Sequence, residues 1–266
     1  MTTTEREASI PAHPASPHGA PSTSSGHGAD PARTPRGVQS VKFTFFRLPT
    51  EARRLPSAER AALGAELESL LVDSGESMLT RVYSTAGTRG DVDFLVWQVH
   101  DDLSVISDWH ARLNRSRVGA WLERPHSFLS MTMRSQYTNE LHEGADRRTR
   151  LRTDGGTNEY LFVYPMAKTK AWYRLPQADR QRMMDEHIAV GHRYHGIKIN
   201  TTYSYGLDDQ EFVVAFEGDD PGEFLALVRE LRASDATQFT EFDTPMFTCR
   251  RTAIEALPAH LGLCEG

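Results

Sequence analysis

Four residues in the second half of the chain have types and spacings that could do chemistry. Tyr164, Met166 and Lys168 alternate along one short segment, so an extended backbone puts them on one face together with Phe162. A phenol can be oxidised, a thioether makes a polarizable wall, and an ammonium can anchor an anion. A core strand followed by an exposed lysine would show the same pattern. The fourth residue, His187, lies in a helical pattern with Met183, Val190 and Gly191 on its face. A neutral imidazole there could ligate a metal, or be satisfied by a backbone carbonyl.

An internal repeat weighs these readings. Leu55-Pro56-Ser57-Ala58-Glu59-Arg60 returns as Leu175-Pro176-Gln177-Ala178-Asp179-Arg180, an offset of 120. Under that offset the face Leu63, Leu67, Leu70 and Leu71 becomes Met183, His187, Val190 and Gly191. His187 therefore stands where the sister helix has a core leucine, and burying a bare imidazole costs about a few kcal/mol. Gly191 removes the side chain that would crowd anything beside the ring. The pair predicts a cavity with a ligating group in its wall.

Other candidates are weaker. His192 and His195, three apart, could share a metal, but they fall where the helix should end and read as solvated residues. Asp208-Asp209 and Asp219-Asp220 read as turn acids. The dinucleotide glycine fingerprint, the phosphate-binding loop, His-Glu-x-x-His, Cys-x-x-Cys and the nucleophile elbow are all missing from the sequence. Nucleotide chemistry, zinc hydrolysis and acyl transfer lose support accordingly.

The elements that must position these residues occur twice. The first half reads as a strand over 41–48, a helix from Pro56 to about Leu71, strands at 78–85 and 93–99, a helix over 103–121 and a strand at 127–133. The second half reads as a strand over 160–166, a helix over 176–194, strands at 200–205 and 211–217, a helix over 221–231 and a last strand near 245–248. Each half is βαββαβ, the ferredoxin-like order, in an α+β fold. Two such halves are expected to pack sheet against sheet as a dimeric α+β barrel with its helices outside.

The expected boundaries are a tail over 1–38, the first half over 39–137, a polar linker over 138–158, the second half over 159–255 and a short tail over 256–266. The first 38 residues hold six of the fourteen prolines and ten Ser/Thr with almost no large apolar side chain, so the tail is expected to be disordered. Hydrophobic residues at 39% and charged residues at 25% fit a globular chain, and a net charge of −6 argues against binding nucleic acid through bulk electrostatics. No apolar run approaches the roughly 18 residues of a membrane span, and no secretory signal is evident, so the cytoplasm is the expected location. Two cysteines, Cys249 and Cys264, make no disulfide framework.

Several motifs then fall in one order: Tyr164-Pro165-Met166-Ala167-Lys168, Trp172-Tyr173-x-Leu175-Pro176, Arg182-Met183-Met184-x-Glu186-His187 and Gly206-Leu207-Asp208-Asp209. Over roughly 40–255 the sequence resembles the chlorite dismutase-like haem proteins, and within them the coproheme decarboxylases. The resemblance implies His187 as the axial iron ligand and Tyr164 as the catalytic tyrosine. Arg150 and Lys168 would anchor propionates, Pro165, Met166 and Ala167 would line the porphyrin, and Thr237 would contact a propionate. Asn200 falls where decarboxylases of this kind carry a distal glutamine and chlorite dismutases an arginine, which disfavours chlorite chemistry. His142, in Asn139-Glu140-Leu141-His142, is an outside candidate for a distal base.

The reaction so implied converts Fe-coproporphyrin III (coproheme) to haem b. Hydrogen peroxide would drive stepwise oxidative decarboxylation of two propionates through a three-propionate intermediate, with the coproheme/haem b iron as redox centre. A haem peroxidase, or a non-catalytic haem-binding protein, is the alternative. The resemblance also implies a homopentamer and transient contact with coproporphyrin ferrochelatase.

Overall fold

The computed structural model describes residues 38–135, 137, 151 and 157–264. Arg150, His142, the expected N-terminal tail up to Gly37 and most of the expected linker lie outside the described residues. The first half comprises β1 (Ser40–Arg47), a short α1 (Thr50–Arg53), α2 (Ser57–Ser77), β2 (Leu79–Ser84), β3 (Phe94–His100), α3 (Leu103–Arg115) and β4 (Glu123–Met131). The second comprises β5 (Tyr160–Lys168), a short α4 (Lys170–Arg174), α5 (Gln177–Gly191), β6 (Lys198–Tyr203), β7 (Phe212–Gly218), α6 (Pro221–Leu231), β8 (Thr240–Phe242) and β9 (Phe247–Thr252). α7 (Leu257–His260) closes the described chain.

The expected α+β architecture is present. Antiparallel pairing orders the first half β4-β1-β3-β2 and the second β9-β5-β7-β6, the same arrangement twice. β2 joins β9 and β4 joins β6, so eight strands close into a ring, and β8 adds to the end of β5. The joins differ in strength. β1 and β3 pair at seven positions, whereas β4 meets β6 at one, Met131 with Tyr203.

The period-2 alternation of each strand sends one face into the ring and the other toward helices. Inward residues such as Phe43, Phe45, Trp97, Val163, Val213 and Phe247 form the core shared by the halves. Outward residues of the first half, Phe46, Phe94 and Val96, are sealed by Leu63, Leu67 and Leu71 of α2 and by Trp109 and Leu113 of α3. In the second half the corresponding seal is partial: Val190, Leu227 and Leu231 pack on Phe162, Val214 and Phe216.

Boundaries shift where tertiary contacts override local pattern. α2 runs on to Ser77 because Ser74 is buried and its hydroxyl meets both Gln98 and Thr80. α3 stops at Arg115, since the turn that follows brings Gly119 so close to the Leu113 carbonyl that any Cβ would overlap it. The expected C-terminal tail is a packed segment: Leu257, Leu261 and Leu263 are buried in the first-half core. It lies against α2 at Gly64, where an added Cβ would sit 2.2 Å from the Leu263 carbonyl oxygen. Gly64→Ala is therefore expected to cost about 1–3 kcal/mol of stability. A thermal midpoint equal to that of the wild type would show that the segment is not held there.

Candidate functional site

In the second half, a cavity of about 830 Å³ separates the outward sheet face from α5 and α6. Its floor is built row by row across three strands. Tyr164 pairs with Val214 and that with Thr201, while Met166 pairs with Phe212 and that with Tyr203. A third row contributes Phe216 and Ile199, its remaining member, Phe162, being covered by Phe224 of α6. Across from this apolar floor, α5 presents His187, Ile188 and Gly191. The leucine-to-histidine and leucine-to-glycine exchanges thus open a space that the sister half fills. A Cβ on Gly191 would stand 3.3 Å from Ile199 Cδ1, narrowing the cavity between helix and floor.

The His187 ring is half-buried, and its Nδ1 lies 3.3 Å from Ser234 Oγ. Burial first, and the Lys168 ammonium second, lower its pKa to about 4, so the ring is neutral at physiological pH. Tyr164 is buried. Its phenol is pushed up by burial and by the Asp243 carboxylate, with the Arg232 guanidinium partly offsetting them, so it keeps its proton. Arg232 and Asp243 form an ion pair at 2.5 Å on the cavity wall.

Lys168 is 8% exposed; its Nζ donates to the Ala236 carbonyl at 2.7 Å and sits 4.9 Å from the Trp172 ring centroid. Burial lowers its pKa to about 8, and the Glu211 carboxylate acts in the opposite direction. Thr237 lines the cavity, with its hydroxyl donating to the Leu231 carbonyl at 2.7 Å.

Tyr164, Met166, Lys168, His187 and Thr237 are therefore brought together. Pro165 and Ala167 are not: they occupy the opposite parity of β5, Pro165 beside Val213 of the inner core and Ala167 beside Phe242. Asn200 also departs from expectation. It borders the cavity, but its side chain is buried on the ring-interior face, where Nδ2 donates to Glu217 Oε1 at 2.9 Å. The strand residues whose parity faces the cavity are its neighbours Ile199 and Thr201. Ser234, Arg232 and Asp243 were not singled out from the sequence. They come from the polar turn after α6 and the approach to β9, stretches without periodicity.

Among the described residues no group of three or more His, Cys, Asp or Glu could hold a metal ion. A metal held by His187 alone would have to bring its other ligands with it, as the iron of a macrocycle does. The cavity volume also lies within the roughly 300–1,000 Å³ of small-molecule and cofactor sites. Among the described residues no helix is long and apolar enough to cross a membrane.

This fold and site define a class. Residues 60–252 match the chlorite dismutase family model, and the chain belongs to that family. Among individual proteins it is similar to the coproheme decarboxylase of Mycolicibacterium smegmatis, 30% identical over 180 residues, covering 68% of this chain and 76% of that one. The chlorite dismutase of Candidatus Nitrospira defluvii, solved in complex with imidazole, shares the fold. Its TM-score is 0.75 at 21% identity, over 86% of this chain and 97% of that one.

Proposed function

We propose that this chain is a coproheme decarboxylase that converts Fe-coproporphyrin III to haem b with hydrogen peroxide, in two successive propionate decarboxylations. The observation that carries the reading is one cavity that holds a neutral imidazole, a protonated phenol and a buried ammonium, closed off in the sister half. The 30% identity to a coproheme decarboxylase supports it. Bound coproheme would supply the redox chemistry, activating peroxide at its iron.

The chain's own residues do the rest. His187 would hold the iron of the bound porphyrin through a ring nitrogen. Lys168, with Arg150, would orient propionates through charge-assisted hydrogen bonds, and Thr237 would contact them from the cavity wall. Tyr164, oxidised to a phenoxyl radical, takes a hydrogen atom from a propionate β-carbon held against it. The carboxyl leaves as carbon dioxide and a vinyl group remains, with the peroxide activated by bound coproheme as the oxidant that would accept the second electron. Placement matters, since a misplacement of about 1 Å can cost on the order of 100-fold. The same reading carries a homopentameric assembly that receives its substrate from a ferrochelatase.

The test is to add ferric coproheme to the purified protein and titrate hydrogen peroxide while following porphyrin mass. Sequential loss of two carboxyl groups is expected. A bound porphyrin that keeps all four propionates would favour a non-catalytic haem carrier. Chlorite dismutation is disfavoured because Asn200 stands where chlorite dismutases carry an arginine, and its side chain is bonded to Glu217 while its described neighbours Ile199, Thr201 and Val214 face the cavity.

Lys168 gives the reaction a pH dependence. Its folded pKa of about 8 lies below the 10.5 of an exposed lysine, so above about pH 8 the free protein carries it neutral. Binding a propionate there requires proton uptake. Coproheme affinity is expected to be flat below about pH 8 and to fall above it by up to about tenfold per pH unit. Lys168→Gln should abolish that slope, and a wild-type affinity independent of pH from 7 to 10 would remove Lys168 from the site.

A further inference from the structure

α6 ends at Leu231, and the chain folds back over its last turn into a 3₁₀ segment at Asp235–Phe239. Carbonyls at a helix C-terminus lack intrahelical partners. Three donors meet the same one: Ser234 N–H at 3.1 Å, Ser234 Oγ at 2.7 Å and Thr237 Oγ1 at 2.7 Å. A hydroxyl has one proton and two lone pairs. The 2.7 Å contact to Leu231 O is the shortest that Ser234 Oγ makes, which places its proton there and leaves the oxygen to accept from its neighbour His187 Nδ1, 3.3 Å away. Thr237 Oγ1 stands 3.3 Å from Ser234 Oγ, but its own proton is also held by Leu231. Ser234 is only 6% exposed, and the Lys168 bond to Ala236 O ties the same turn to β5.

We propose that Ser234 is a positioning residue that fixes the tautomer of His187, keeping the proton on Nδ1 and leaving the Nε2 lone pair as the ligating atom. A ring nitrogen that carries its proton cannot ligate, so the opposite tautomer would present a donor where an electron pair is needed. Orientation of a ligating imidazole through its second nitrogen is a general device. Here the acceptor is a neutral hydroxyl, itself held by a helix-terminal carbonyl, so the ring remains a neutral ligand. The inference rests on the proposed function only for the identity of the metal.

Nitrogen-15 NMR of the ligand-free, histidine-labelled protein at pH 7 reads the tautomer directly, with His187 assigned by the signals lost in His187→Ala. The wild type is expected to carry its proton on Nδ1. Ser234→Ala should shift the ring toward Nε2–H, and Ser234→Thr should restore Nδ1–H. Ferric coproheme titrations should then show binding weakened about 10–100-fold in Ser234→Ala and recovered in Ser234→Thr. A wild-type ring protonated on Nε2, or a Ser234→Ala spectrum identical to the wild type, would overturn the assignment. If Nδ1 carries the proton and yet no variant or wild type binds coproheme, the haem reading fails and the tautomer assignment stands.

Discussion

Tyr164→Phe is expected to bind ferric coproheme as the wild type does and to lose decarboxylation by on the order of 10²–10⁴-fold, the range of a positioned proton-transferring group. The substitution removes one oxygen from a ring that is otherwise held by packing against Phe216, 6.0 Å between centroids, and by its place in the first floor row. Burial and the Asp243 and Arg232 charges act on the hydroxyl, and among the described residues its removal orphans no hydrogen-bond partner. Fold and cavity should survive, which makes turnover the quantity that moves. The measurement is porphyrin mass against added peroxide, beside a coproheme titration of the same variant. Haem b produced at the wild-type rate by Tyr164→Phe would exclude the phenol from the reaction.

The second large effect concerns stability. Inside the ring, Arg81 of β2 and Glu217 of β7 meet at 2.6 Å with side chains 5% and 3% exposed. Glu217 also accepts from Asn200 and lies 3.2 Å from Lys198 Nζ. Glu217→Ala strands a guanidinium in the interior, with the Tyr83 hydroxyl and the Trp97 ring, 5.2 Å away, among the contacts left to it. The expected loss is about 3–5 kcal/mol in urea unfolding, the usual cost of removing one member of a buried pair. Arg81→Met combined with Glu217→Leu should recover most of it, because the desolvation penalty goes with the charges. A single variant as stable as the wild type would mean that water reaches the pair.

Which parts of this molecule were legible beforehand follows from the range of each signal. The His187 and Gly191 contrast with Leu67 and Leu71 was readable because the duplication supplies its own reference. The face of Tyr164, Met166 and Lys168 was readable because strand parity is local. Parity is also what misled the reading of Asn200. Counting residues from the helix placed it at the distal position, but a shift of one residue moves a strand side chain to the other face. The same alternation turns Pro165 and Ala167 away from the cavity. Leu257, Leu261 and Leu263 looked like a tail because their partner, α2, lies nearly two hundred residues earlier. Ser234 sits in a polar turn, and nothing in its neighbours announces that a helix-end carbonyl will claim its proton.

The ring of strands is uneven, and the unevenness has a location. Where β4 meets β6, one residue pair does what seven do between β1 and β3. Tyr203, one member of that pair, is part of the cavity wall, as are Thr132 and Met133, which continue from β4. Parting the barrel along this stave sacrifices fewer ladder bonds than parting it anywhere else that the strands run long, and it leaves both helix layers in place. The sparsest backbone seam of the barrel and its chamber coincide, and side chains stitch it instead: Ser130 meets Thr202 at 2.8 Å, Ser204 donates to Leu129 O at 2.8 Å and Asp208 accepts from Leu129 N at 2.6 Å.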